Sequence, residues 1–342
     1  MDKRSIRSQF LLGEKLHTFK RRLVASAGTA AVLLLAGLGP AQAEESQEHG
    51  TLAIVAPEVL EGSLMADDLR GAPSGPMSTQ NGDVTLPSDS SRPAVIRSDE
   101  TTIRVNLPAS EKKAKAVAGS DGQVQFDNGD GSITSALPKE DGSLQVATTI
   151  TSSAAPTSYR YGLGVASGAS LELRPDGGVD IVSNKGEYLG GVAAPWAKDS
   201  SGRDIATHYE VAGTSLVQVV AHTASNDVAY PVVADPWFGI DLYYSPYVTF
   251  TSQGYKINVS PTYWGTQNRD ATIWWAHRDE VRTKLGSNSW RWTNSIQEQF
   301  YCHIAGYPAS LPEYNLESWR PTINWATSLT KYRCNPYDGY WS

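Results

Sequence analysis

Cysteine is scarce in this chain: 342 residues hold two, Cys302 and Cys334, both near the C-terminal end. That excludes a disulfide-dense scaffold and a four-cysteine zinc site. Long apolar runs are scarce too. The one that stands out, Leu23 to Leu38, has 16 residues, short of the roughly 20 that span a bilayer. Basic residues are outnumbered, 29 Lys and Arg against 36 Asp and Glu, and form no stripe, so nucleic acid is not an expected partner. Signatures of common chemistry are missing as well. There is no G-x-S-x-G, P-loop, dinucleotide fingerprint, EF-hand loop or H-E-x-x-H. No cofactor and no metal is expected.

What is present begins with an export signal. Lys3, Arg4, Arg7, Lys15, Lys20, Arg21 and Arg22 face only Asp2 and Glu14. The apolar run follows, Gly39-Pro40 breaks it, and Ala41-Gln42-Ala43 offers the small residues a signal peptidase reads. Lys20-Arg21-Arg22 also admits a twin-arginine route. The expectation is a secreted protein, with residues 1–43 removed after Ala43.

Charge divides the remainder. Residues 1–43 carry +5, residues 44–234 carry −12 and residues 235–342 are neutral, with nine residues of each sign. Such a split suggests parts with separate tasks. Residues 44–100 are rich in Ser, Pro, Gly and acid, and read as a disordered spacer or pro-segment; only Leu52-Ala53-Ile54-Val55 hints at order. Residues 101–234 alternate, as in Thr102-Ile103-Arg104-Val105, Gln123-Val124-Gln125-Phe126 and Val179-Asp180-Ile181-Val182. Turn pairs such as Asp141-Gly142 and Asp176-Gly177 separate these runs, the pattern of an antiparallel β-rich domain.

Residues 235–342 hold nine of the ten Trp and eleven of the sixteen Tyr. They read as a small aromatic-rich α+β domain. Tyr247–Phe250 and Tyr255–Val259 look like strands. A helix is expected from Asp270, a good N-cap, to about Leu285, with Gly286 closing it. Ile273, His277, Val281 and Lys284 share one face of it. A second helix is expected over 293–304, and Pro321 limits any helix before it. Two cysteines in an exported chain read as a disulfide, joining that second helix to the tail. The rival, a metal site, has only His303 to add beside Cys302.

Two stretches resemble known secreted proteins. Ala193-Ala194-Pro195-Trp196-Ala197-Lys198-Asp199, followed by Val211-Ala212-Gly213-Thr214-Ser215-Leu216 and Tyr230-Pro231-Val232-Val233-Ala234-Asp235-Pro236, resembles a β-rich segment of many secreted actinobacterial proteins. Trp274-Trp275, Phe300-Tyr301-Cys302-His303, Asn315-Leu316-Glu317-Ser318-Trp319-Arg320-Pro321 and Cys334-Asn335-Pro336 resemble a C-terminal domain of unknown function in the same organisms. The resemblance spans about 190–342 and implies no catalytic residues.

Candidate site residues follow from residue type alone. His277 lies near Asp279 and Glu280 as an acid–base pair would; a packed core histidine explains it equally. His303 beside Cys302 reads the same two ways. Glu317 and Arg320 read as an ion pair more readily than as a catalytic carboxylate. Trp274, Trp275, Trp319 and Trp341 are the expected binding aromatics, since Trp has an apolar body with a polar tip.

Three functions stay open. The first is a secreted precursor whose C-terminal domain acts as a bacteriocin-like antibacterial effector on the envelope of other bacteria. The second is a module binding the bacterial cell envelope or its polysaccharides, with a membrane surface as a further partner. The third is a secreted hydrolase. Oligomeric state is not legible.

Overall fold

Apolar residues alternating between Gly and Asp turns do build antiparallel sheet, and they begin doing so earlier in the chain than composition suggests. The computed structural model describes residues 50–64, 74–108, 113–119, 123–223, 227–306 and 312–336. The expected cleavage point at Ala43, and Trp341, lie outside them.

One sheet has seven strands. In spatial order they are β1 (Gly75–Thr79), β2 (Gly82–Leu86), β3 (Ala94–Arg97), β4 (Thr102–Asn106), β9 (Ser158–Gly164), β15 (Ser215–Val220) and β14 (Thr207–Ala212). The main path of a second sheet runs β10 (Ser170–Leu173), β11 (Val179–Val182), β12 (Tyr188–Val192), β17 (Trp237–Gly239), β8 (Leu144–Ile150), β7 (Ser132–Pro138), β6 (Val124–Asp127) and β5 (Val117–Ala118). Off this path, β16 (Val232–Asp235) pairs with β8 and with β13 (Trp196–Asp199). Inward residues of both sheets share one core: Val84, Ile96, Ile103 and Val105 from the first meet Phe126, Val146, Ile181 and Phe238 from the second. Each such side chain, fully buried, contributes roughly 1.5–3 kcal/mol of transfer free energy. The turn glycines serve as expected: Gly142 and Gly177 sit at φ +89° and +90°, where a Cβ would strain the chain.

The reading of residues 44–100 as a spacer without a core is corrected. Residues 75–97 supply β1, β2 and β3, whose Met77, Val84, Leu86, Ala94 and Ile96 are buried. Each strand is only four or five residues long and brings two or so apolar side chains, too few to register against the surrounding Ser, Pro and Gly. Burial by the facing sheet, not local propensity, holds them. The hint of order at Leu52–Val55 is real: α1 (Thr51–Val55) and the 3₁₀ turn Pro57–Leu60 pack Leu52, Val55, Ala56 and Val59 on Leu137, Ala147 and Val233. Lys139, 1% exposed, ties this segment down, donating to the Val59 carbonyl, to the Glu61 carbonyl at 2.8 Å and to Ser63 Oγ at 2.9 Å.

The C-terminal part is α+β, as expected. A third sheet holds β18 (Tyr247–Thr251), β19 (Gly254–Val259) and β20 (Tyr314–Glu317). Its helices are α2 (Tyr263–Gln267), α3 (Trp274–Lys284), α4 (Asn294–Gly306) and α5 (Trp325–Tyr332). Asp270 Oδ1 accepts from the Thr272 N–H at 2.8 Å and caps a 3₁₀ turn leading into α3, which ends before Gly286 at φ +53°. Cys302 and Cys334 form the disulfide, tying α4 to the end of α5, with Cα atoms 5.5 Å apart. No helix among the described residues is long and apolar enough to cross a membrane.

The boundary at 234/235 is not a linker. β17 lies beyond it yet pairs with both β12 and β8. Trp237 Nε1–H donates to Ser143 Oγ at 2.9 Å, and the Trp264 N–H donates to Asp141 Oδ2 at 2.7 Å. Arg174 holds Asp176 and Asp180 and also donates to Asn268 Oδ1 at 3.3 Å. A Cβ on Gly239 would collide with the Trp264 ring. The two parts share a buried junction of polar pairs and interlocked rings.

Candidate functional site: an aromatic rim at a hairpin tip

Of the residues expected to carry chemistry, the two histidines are packed inside, and Glu317 and Arg320 are half-buried. His277 is fully buried. Its Nε2–H donates to the Asn268 carbonyl at 2.6 Å, so its Nδ1 accepts from the Tyr243 hydroxyl at 2.7 Å. Both ring nitrogens are thereby engaged, and burial pushes the imidazole down to about 4, which keeps it neutral. His303, 6% exposed, stacks on Tyr314 with ring centres 5.0 Å apart and planes 9° apart. Burial pushes it down to about 4 as well. The Glu317 carboxylate lies between Lys256 at 3.3 Å and Arg320 at 2.5 Å. The strand carrying it is held by Gln299, whose amide donates to the Glu317 carbonyl and accepts from its N–H. A second ion-pair group, the half-buried Lys284, bridges Asp241 and Glu280, each at 2.9 Å. Glu280 in turn accepts the N–H groups of Leu242 and Tyr243. These are joints of the fold.

The expected binding tryptophans are divided. Trp274 is half-buried, stacked on Tyr301 at 5.3 Å and edge-on to Trp325 at 5.0 Å. Trp275 is half-buried and meets Tyr188 edge-on at 6.3 Å, against the β body. Trp319 is half-buried beside the β18–β19 hairpin, with the Lys256 ammonium 5.8 Å from its ring centre.

The exposed rings lie at the tip of that same hairpin. Register pairs Phe250 with Tyr255 and Thr251 with Gly254, so the chain turns over Ser252-Gln253. Gly254 packs so close to the tail that a Cβ would lie 2.5 Å from Ser318 Oγ. The Tyr255 N–H donates to that oxygen, and the Ser318 N–H donates to the Tyr255 carbonyl. Val248 and Ile257 share a face of the sheet with Phe250 and Tyr255. Ile257 enters the core and Val248 packs against it, whereas Phe250, at the strand end, overhangs it and is 69% exposed.

The 3₁₀ segment Gly286–Arg291 runs alongside. Trp292 anchors it, meeting Phe300 edge-on at 5.1 Å. Trp290, two residues earlier, points outward and is 69% exposed. Arg291 lies among three rings, its guanidinium carbon 4.2 Å from the centre of Trp290, 4.9 Å from Phe250 and 5.0 Å from Tyr255. Cation–π attraction of roughly 0.5–2 kcal/mol per pair holds such a group in place. Tyr255 Oη–H donates to the Arg291 carbonyl at 2.8 Å and fixes the segment to the hairpin. Tyr247, 52% exposed, lies farther along the same strand and donates to Glu313 at 2.9 Å.

This geometry coincides with a family boundary. Residues 248–337 match the family described as "Protein of unknown function (DUF2599)". No curated protein matches the chain. The DUF2599 match starts inside β18 and ends past Cys334, so it holds Phe250, Trp290, Arg291, Trp319 and the disulfide together. Phe250, Trp290 and Arg291 were not picked out by residue type. The available signal was Ser289-Trp290-Arg291-Trp292 next to the polar Gly286-Ser287-Asn288, a Trp pair of which only one member can face a small core.

Proposed function

We propose that the protein is a secreted envelope-binding module that holds bacterial cell-envelope polysaccharide on the rings at its hairpin tip. The observation that supports this is the exposure of Phe250 and Trp290, 69% each, on either side of Arg291. Large exposed rings around a fixed cation offer apolar faces on which the C–H faces of a sugar stack, with Gln253 and Asn288 nearby in the chain as hydrogen-bonding groups. A lipid surface is the weaker partner. Lipid recognition by charge takes clusters of about 4–8 basic residues, and residues 44–342 carry −12 with only Lys256 and Arg291 in the hairpin and its neighbouring turn.

The buried junction bears on the antibacterial alternative. A C-terminal effector freed from the β body would expose Trp237, Trp264 and the Asp141 carboxylate together, so the reading in which the chain acts intact is favoured. The test is co-sedimentation of the intact protein with insoluble wall polysaccharide, beside vesicles of anionic phospholipid. Depletion from the supernatant by polysaccharide and not by vesicles is expected. Depletion by vesicles alone, or by neither, overturns the proposal.

A further inference from the structure

We propose that Arg291 is an oxyanion receptor, so that the polysaccharide selected at the hairpin tip is one bearing carboxylate or phosphate groups. This rests on the polysaccharide reading above and narrows it. Three observations carry it.

The first is the state of the guanidinium. Arg291 Nε–H donates to Asn288 Oδ1 at 3.2 Å, but among the described residues no oxygen accepts from Nη1 or Nη2, and no carboxylate lies within ion-pair reach. Four arginines of this chain are held by carboxylates instead: Arg174 by Asp176 and Asp180, Arg203 by Asp199, Arg278 by Asp279, Arg320 by Glu317. Ring contacts hold the charge of Arg291 without consuming the outer pair of nitrogens, the pair that grips carboxylate or phosphate in a two-pronged bond.

The second is local charge. The mature region is acidic, yet Leu242 to Asn268 and Leu285 to Gln297 contain no Asp or Glu, and their only Lys or Arg residues are Lys256 and Arg291. Lys256 has a carboxylate partner in Glu317, which it shares with Arg320. Of these two cations, Arg291 is the one without a carboxylate partner among the described residues.

The third is rigidity. Three rings, Asn288 and the Tyr255 hydroxyl hold the segment before any ligand arrives, so little side-chain entropy remains to be lost on binding. A lone surface arginine lacks this advantage. The ligand it fits has an oxyanion within reach of flat sugar faces, so that stacking on Trp290 and Phe250 accompanies the charged hydrogen bonds.

The experiment titrates the intact protein with three soluble probes: a neutral dextran, an oligogalacturonate and a poly(glycerol phosphate). Charge-assisted hydrogen bonds of about 1.5–3 kcal/mol translate into roughly ten- to hundredfold in affinity. At least one anionic probe is expected to bind tenfold or more tighter than dextran, and the arm that does so tells carboxylate from phosphate. Arg291→Gln is expected to bring that probe down to the dextran level. Arg291→Lys, which keeps a charge over the rings but not the fork, is expected to lose most of the preference, and it serves in place of the Gln variant should that one not fold. Equal affinity for dextran and both anions, or an unchanged anionic preference in either variant, overturns the inference while leaving the polysaccharide reading intact. Binding of none of the three probes, with no retention on wall polysaccharide, overturns both.

Discussion

The Tyr243 hydroxyl, donating to His277 Nδ1, and the Asn268 carbonyl, accepting from Nε2–H, together make this imidazole a neutral strut between the segment entering the C-terminal part and α3. Removing the hydroxyl leaves a buried acceptor without a partner. Tyr243→Phe should cost about 1–3 kcal/mol, read as a lower urea midpoint with an unchanged slope; an unshifted midpoint would mean that the bond has no net worth. The place of His277 on a buried face with Ile273 and Val281 was legible from helical spacing, and all three are buried. Its partner was not, because Tyr243 lies 34 positions away and only the fold brings it near. The same holds for the aromatics. Their crowding into the last 108 residues is plain in the sequence, but nothing in the residue type tells Trp290, which is exposed, from Trp264, which is 1% exposed.

Elements separate those that stand on local signals from those that stand on tertiary ones. Helix α3 was legible because the Asp270 cap of the turn leading into it, its spacing and its closing glycine agree. Strands β1 to β3 were not, since each is short and acquires its core only from the opposite sheet. Helix α5 is of the second kind too. It has eight residues, too few for a helix to persist alone in water, and Ser328 is its only fully buried side chain. It is tied to the fold by Cys334, just past its end, by Glu298 accepting the Trp325 N–H at its start, and by Trp325 edge-on to Trp274. Replacing both cysteines by serine should lower stability by about 3–4 kcal/mol for a loop of this length. Hydrogen exchange should show protection lost over 325–332 first and retained in β7 and β8. Uniform loss across the sheets would contradict this placing of the weak element.

At the scale of the whole molecule, buried titrating groups pull in opposite directions. Burial holds His277 and His303 at about 4, against an ordinary 6.5, so the unfolded chain takes up their protons first and stability falls as pH drops from 6.5 towards 4. Asp235 goes the other way. Burial, opposed by the Gln145 amide and the Lys139 charge, raises it to about 7 from 3.8. The folded state then holds the extra proton, and its contribution is lost as pH rises through 7. Asp235→Asn removes that term and keeps an acceptor for Gln145. Between pH 4.5 and 6.5, stability of the variant should climb with pH more steeply than that of the parent, by up to about 1.4 kcal/mol per pH unit. Parallel curves would show that Asp235 is ionised in the fold.

The same scale decides how the surface patch is carried. Charge and composition divided the chain into parts, and the β-rich middle and the α+β end are both there. What composition could not convey is the junction, because Asp141, Arg174, Gly239 and Trp264 have partners far away in sequence. The hairpin tip is thus joined to the β sheets through that junction, and the proposed binding is assigned to the intact chain. The direct test is a pair of isotherms on one preparation of wall polysaccharide, for the intact protein and for the Phe250→Ala/Trp290→Ala double variant. Both side chains are largely exposed, so the melting temperature should move little, while affinity should fall at least tenfold, given roughly 1–3 kcal/mol for each stacked ring by analogy with bases on aromatic platforms. Superimposable isotherms would contradict the account.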